Sequence, residues 1–160
     1  MKLGYRDNVA VLVLDQRGRL LVCERADVPG AWQLPQGGIE PGEEPLQALY
    51  RELAEEIGTA DVEIIGKLPH PILYEWPQEL YVRGYRGQRQ HYFLVRLAPG
   101  AALNLNNGAA ETEFCSYKWM SADEFLGCIS SFKAEAYTTA LRAFQQQFPG
   151  IIFDGHTARK

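Results

Sequence analysis

An α/β sandwich is the fold class the sequence predicts, and three observations predict it. The run NVAVLVLD at 8–15 is apolar and rich in β-branched residues, the composition of a well-buried strand. An amphipathic helical pattern fills 45–57, opened by Pro45 and closed by Gly58. Further strand-like runs bracket the helical stretches, which favours helices layered on a sheet over a helix bundle.

The elements follow in order. DQRG at 15–18 reads as a turn, and RLLVCER returns as a second strand, giving a hairpin. ADVPGAWQLPQGG, with two prolines and three glycines, reads as a loop. In the first helix Leu46, Leu49, Tyr50, Leu53 and Ile57 are expected to face the core. DVEIIGKL, HYFLVRL and CSYKWM read as strands. SADEF opens with Ser121 and has Glu124 three residues on, a capping-box start for a short helix. KAEAYTTALRAFQQQF reads as a longer helix with Ala136, Ala140, Leu141 and Phe144 near one face.

The 160 residues show no repeat, low-complexity block or linker, so 1–153 are expected to form one domain and 154–160 a loose tail. A formal net charge of −4 argues against a general nucleic-acid or double-stranded DNA binder, while leaving room for a local basic site. Three scattered cysteines without a CxxC pair are expected to be buried free thiols in a reducing cytoplasm. No apolar run is long enough to span a bilayer, so a cytoplasmic protein without membrane contact is expected.

The segment PQGGIEPGEEPLQALYRELAEEIGT at 35–59 carries the chemistry. At about 100° per residue, Glu55 and Glu56 fall near 300° and 40° from Glu52, so three carboxylates share an arc of about 100°. Like charges at this spacing repel by roughly 0.2–0.5 kcal/mol per pair. Arg51 offsets part of this, yet one arginine cannot neutralise Glu43, Glu52, Glu55 and Glu56 together. A divalent cation with oxygen ligands can, and Mg²⁺ characteristically uses a few carboxylates, waters and substrate phosphates. Taken alone, E-x-x-E-E is more often a solvated acidic face than a metal site.

The surroundings change that balance. Gly37, Glu43, Arg51, Glu52, Glu55, Glu56 and Gly58 stand at the spacing G-x5-E-x7-R-E-x-x-E-E-x-G. This pattern resembles the Nudix box, the signature of hydrolases that cut a nucleoside diphosphate linked to another group. The one departure is Thr59, where the family usually has an aliphatic residue. The resemblance implies an α/β/α sandwich with a mixed sheet. It implies Mg²⁺ or Mn²⁺, two or more ions with substrate bound, held by Glu52, Glu55, Glu56 and the Gly37 backbone. Glu113 is a further ligand by the same resemblance, though alone it reads as a surface acid. Arg51 and Glu43 are implied to orient loop and helix, and Glu55 or Glu56 to be the general base.

Beyond the box, GYRDNVAVLVLD, WQLPQGGIEPGE, GYRGQRQHYFLVRL and SFKAEAY resemble the bacterial RNA pyrophosphohydrolase and diadenosine tetraphosphate hydrolase branch. That resemblance implies a nucleoside polyphosphate or a 5′-triphosphorylated RNA end as substrate. It makes Arg6, Arg25, Tyr74, Arg89, Phe132 and Lys133 candidate substrate contacts. Each has a plainer reading: exposed salt bridges for the arginines, a core anchor for Phe132, loop packing for Tyr74. Asp7 replaces a customary proline, Ala26 a customary arginine, and His91–Tyr92 a lysine–tryptophan pair. A monomer or weak homodimer is expected. The rival readings are cleavage of another nucleoside diphosphate derivative, such as ADP-ribose or an oxidised nucleotide, and a non-catalytic nucleotide-sensing module.

Overall fold

The computed structural model describes residues 3–81, 83–105, 113–129 and 132–155. Its frame is one mixed sheet. β1 (Gly4–Leu14) and β7 (Tyr85–Leu97) run parallel at its centre, in register from Tyr5 against Gly87 to Leu14 against Arg96. β2 (Leu20–Arg25) meets β1 only at the turn, through Leu14 and Leu20, then pairs along its length with β8 (Phe114–Met120). β5 (Val62–Lys67) and β6 (Ile72–Glu75) pair with successive stretches of β7. The expected hairpin is therefore brief: the edge of β1 that meets β2 at Leu14 pairs with residues 36–38 at Asn8–Ala10, while β7 occupies the opposite edge.

Alternation along β1 explains the layers. Val9, Val11 and Val13 enter a core with Ala48, Leu49, Leu53 and Ile57 of α1 (Pro45–Ile57). Ala10, Leu12 and Leu14 enter a second core with Phe125 of α2 (Ala122–Cys128) and Tyr137, Ala140, Leu141 and Phe144 of α3 (Ala134–Gln147). A strand buried on both faces needs no polar side, which is why the run at 8–15 is continuously apolar. The result is the expected α/β/α sandwich.

Three expectations need correction. The stretch read as a loop at 26–38 holds two short strands, β3 (Trp32–Gln33) on β2 and β4 (Gln36–Gly38) on β1. On α1, Leu46 and Tyr50 are exposed at 40% and 39%, while Ala48, Glu52 and Glu56 are buried. The buried stripe is rotated towards the acidic arc. Of the cysteines only Cys23 is buried; Cys115 is exposed and Cys128 lies between.

The helix ends are as the local signals dictate. Gly58 takes φ +78° at the end of α1, where the Asn104 N–H donates to the Ile57 carbonyl at 2.8 Å. Ser121 Oγ accepts from the Glu124 N–H at 3.1 Å, and Glu124 Oε1 accepts from the Ser121 N–H at 3.0 Å. The Asp154 carbonyl accepts from the Asp123 N–H at 3.0 Å, so the chain stays tied to α2 past residue 153. Most of the expected tail, 156–160, lies outside the described residues. No helix among the described residues is long and apolar enough to cross a membrane.

Candidate active site

Helix α1 and strand β4 form the acidic centre. The 3- and 4-residue spacing of Glu52, Glu55 and Glu56 places them on one side of α1, but at different depths. Glu52 is 9% exposed and Glu56 3%, whereas the Glu55 side chain is 55% exposed. Gly37 lies directly against the Glu52 carboxyl, and a Cβ at 37 would overlap all three of its terminal atoms. The Glu56 Oε1 accepts from the Gln36 backbone N–H at 3.0 Å.

Arg51 ties these pieces together. Its Nε and Nη2 donate to Glu43 Oε2 and Oε1 at 2.8 and 2.9 Å, a two-point fork. Nη2 also donates to the Gly38 carbonyl at 2.8 Å, and Nη1 to Glu52 Oε1 at 2.7 Å. Glu55 Oε2 stands 3.6 Å from Nη1. The Arg51 hydrogen bonds hold the Glu43 carboxyl down at about 2. Burial pushes Glu52 up to about 7 despite the Arg51 contact, and lifts Glu56 well above the usual carboxylate range, with Glu52 and Glu113 adding repulsion. Among the described residues no ion pair reaches Glu56.

A polar cleft of about 770 Å³ opens over this centre. Glu52, Glu55, Gly37 and Glu113 form its acidic wall; Arg6, Arg25 and Lys133 bring positive charge from three different elements. Arg6 reaches in from β1 across Gly38, whose missing Cβ makes room for the guanidinium. Arg25 ends β2 and is held by Asp27 through two hydrogen bonds of 2.9 and 2.7 Å. Glu113 precedes β8, and its carbonyl accepts from the Ala26 N–H at 2.9 Å. Lys133, at the start of α3, donates to Gln33 Oε1 at 2.7 Å; burial, with Arg25 adding repulsion, brings its pKa down to about 8. A second cavity of about 280 Å³ adjoins the cleft through Arg25, Gln33 and Lys133, and is walled by Trp32 and Phe132.

The remaining candidates fall elsewhere. Phe132 is 41% exposed beside the smaller cavity, its ring centroid 6.0 Å from that of Tyr74. Tyr74 is buried on β6 beneath it and does not line the cleft. Arg89 also stands outside the cleft lining, paired with Asp7 at 3.1 Å, and the same aspartate accepts His91 at 3.3 Å. Arg86 is engaged by Glu75 at 2.8 Å. On β7 it is the neighbour Gln88 that faces the cleft. Strand alternation separates Gln88 from Arg89, since successive residues point to opposite faces. The sequence reading also passed over Asn8, Gln33 and Gln36, neutral side chains at the cleft wall that carry no charge signal.

The NUDIX domain family model matches residues 4–140. The chain belongs to the Nudix family. Its relatives include an RNA pyrophosphohydrolase of Helicobacter pylori, 40% identical over 149 residues that cover 89% of this chain and 95% of that protein. An RNA pyrophosphohydrolase of a Nitratiruptor species is 40% identical over 152 residues, 91% of this chain and 97% of the other. Among solved structures, the E. coli dihydroneopterin triphosphate pyrophosphohydrolase superposes with a TM-score of 0.68 at 24% identity, covering 89% of this chain and 96% of that one. A C. elegans Ap4A hydrolase complex gives 0.67 at 19% identity, over 89% and 99%. These likenesses show a shared fold. The protein is a Nudix hydrolase acting on phosphoric anhydride bonds.

Nudix membership brings with it a general use of divalent cations. The donor set fits such an ion: hard carboxylate oxygens, two of them buried and raised in pKa, with a glycine cradle beside one. Among the described residues no three His, Cys, Asp or Glu side chains form a ready-made cage. An open arrangement suits Mg²⁺, which keeps waters and takes substrate phosphate oxygens to complete its shell.

Proposed function

We propose that this Nudix hydrolase removes pyrophosphate from the 5′-triphosphorylated end of RNA. The observation that carries the reading is 40% identity to RNA pyrophosphohydrolases across nearly the whole of both chains. The cleft supports it chemically, with an acidic wall for cations, three basic side chains for phosphate, and an aromatic-walled cavity beside them for a base. Dinucleoside polyphosphates are the second reading, because the same cleft and Phe132 face would take a nucleoside from either source.

Mg²⁺ or Mn²⁺, two or more ions with substrate bound, would be held by Glu52, Glu55, Glu56, Glu113 and the Gly37 backbone. When bound, such ions neutralise phosphate oxygens and lower the pKa of a coordinated water. The protein's own contribution is positional. Arg51 and Glu43 lock the glycine strand to α1, so that Glu52 stays beside Gly37. Arg6, Arg25 and Lys133 orient the outer phosphates. The proton of the attacking water goes to a carboxylate that lines the cleft, Glu52 or Glu55; Glu56 sits one layer behind, engaged by Gln36. Residues 1–153 act as one catalytic unit, as a monomer or weak homodimer, in the cytoplasm, where free thiols persist.

The deciding experiment offers equal concentrations of triphosphorylated RNA and diadenosine tetraphosphate with Mg²⁺ and compares kcat/KM. Pyrophosphate release with RNA preferred is expected. Tight binding without turnover of either would instead indicate a sensing module, and turnover of ADP-ribose or an oxidised nucleotide alone would indicate another Nudix specificity.

Lys133 adds a pH signature. Its folded pKa is about 8, so the charge that pairs with phosphate is present below pH 8 and lost above it. KM should hold steady up to neutral pH and rise several-fold between pH 7.5 and 9. In Lys133→Gln the rise should vanish and KM should be high throughout. A wild-type KM that stays flat across this range would remove Lys133 from phosphate binding.

A further inference from the structure

Helix α3 starts directly behind the two residues proposed to meet the nucleotide, Phe132 and Lys133. It is pinned at two points to the segment that leads into the glycine strand. Lys133 Nζ donates to Gln33 Oε1 at 2.7 Å, and the Tyr137 hydroxyl donates to Gln36 Oε1 at 2.7 Å. Tyr137 lies one helical turn in, its N–H donating to the Lys133 carbonyl at 3.0 Å. It is 1% exposed, and its hydroxyl also accepts from the Leu34 N–H at 3.4 Å.

Gln36 stands at the junction. Its backbone N–H donates to Glu56 Oε1 at 3.0 Å, while its side-chain oxygen receives Tyr137 and, at 3.4 Å, Gln90 Nε2. Gln90 is fully buried and is itself fixed, donating to Asn8 Oδ1 at 2.9 Å and accepting from the Tyr92 hydroxyl. A core that needed only volume at 137 would use phenylalanine. The hydroxyl instead completes a chain of polar contacts running from α3 to an acid of α1, in a setting where every buried partner left unpaired is costly.

We propose that Tyr137 is a positioning residue: through Gln36 it ties the nucleotide-facing start of α3 to the Glu56 carboxylate. Seating the nucleoside end of the substrate and aligning the acidic helix then become one mechanical event. Tyr137 touches neither phosphate nor cleft, and it acts through the orientation of the Gln36 peptide. This inference rests on the hydrolase reading above.

The test pairs kinetics with hydrogen exchange at one amide. In Tyr137→Phe, kcat falls about tenfold while KM changes by less than about twofold, the size of effect expected when a partner of an inner ligand is lost. In metal-free protein the Gln36 amide exchanges several-fold faster than in the wild type, measured by NMR. A hydroxyl that serves only the core would lower Tm and leave both kcat and Gln36 exchange at wild-type values, which overturns the proposal. Gln36→Met keeps the backbone donor and removes the acceptor, so it tests the tie if Tyr137→Phe does not fold. It should lose kcat to the same degree, and the double variant should be no worse than the poorer single one; additive losses overturn the proposal. If the wild type hydrolyses neither triphosphorylated RNA nor diadenosine tetraphosphate, the functional reading fails, while Gln36 exchange in Tyr137→Phe still decides whether the tie exists.

Discussion

Glu56→Gln is expected to lower kcat at least a hundredfold, roughly 2.7 kcal/mol of transition-state stabilisation, and to raise the stability of the metal-free protein at the same time. The two effects have one cause. Glu56 is 3% exposed, faces Glu52 and Glu113, and has a peptide N–H where a buried anion calls for a cation. Its folded pKa lies well above the value in an unfolded chain. Above the unfolded pKa the folded state therefore carries a penalty, and below it, near pH 4, the penalty is gone. Glutamine has the same shape, keeps an oxygen for the Gln36 N–H, and gives its amide protons to the neighbouring carboxylates. The variant should melt higher than wild type at pH 7 to 8 without metal, with the difference closing towards pH 4.

Magnesium reverses the order. A cation that binds only the folded state raises Tm by mass action, and wild type should gain from Mg²⁺ where Glu56→Gln gains little. Thermal melts with and without metal, alongside single-turnover kinetics, check both halves. A variant with near-normal turnover would remove Glu56 from the reaction. A variant that melts lower than wild type without metal would mean that the buried charge is already compensated within the protein.

This tension also explains what the sequence could and could not reveal. The bounds of α1 were legible because Pro45 and Gly58 are punctuation with a physical basis, a missing N–H at one end and a left-handed residue at the other. The capped start of α2 at Ser121 was legible for the same reason. The orientation of α1 was not. A reading that sends acids outward puts Leu46 and Tyr50 in the core, yet the helix turns Glu52 and Glu56 inward and leaves those two at the surface. Function overrides the hydrophobic pattern at the residues that matter most. The two- and three-residue strands β3 and β4 are shorter than any periodic signal. The link from Tyr137 to Gln36 spans 101 positions between residues with no local pattern, so only the fold could bring it to view.

The glycine pair offers a separation that charge substitutions cannot. Neither Gly37 nor Gly38 has a positive φ, so alanine at either site meets no backbone strain of its own. What the new methyl group meets differs. At 37 it would overlap the Glu52 carboxyl; at 38 it would overlap the Arg6 guanidinium. Both neighbours are the ends of flexible side chains, so each swings aside and the fold survives. Displacing Glu52 breaks its 2.7 Å contact with Arg51 and removes one oxygen donor from the acidic wall. Displacing Arg6 removes one phosphate contact and leaves the acids in place. Gly37→Ala should therefore lose about a hundredfold in kcat, the scale set by misplacing a reacting group by an ångström, with KM little changed. Gly38→Ala should raise KM and spare kcat. Circular dichroism and melting curves close to wild type for both would show that neither effect is unfolding. If the two variants share one kinetic phenotype, the division of the cleft into an acidic centre held at Gly37 and a phosphate contact held at Gly38 is wrong.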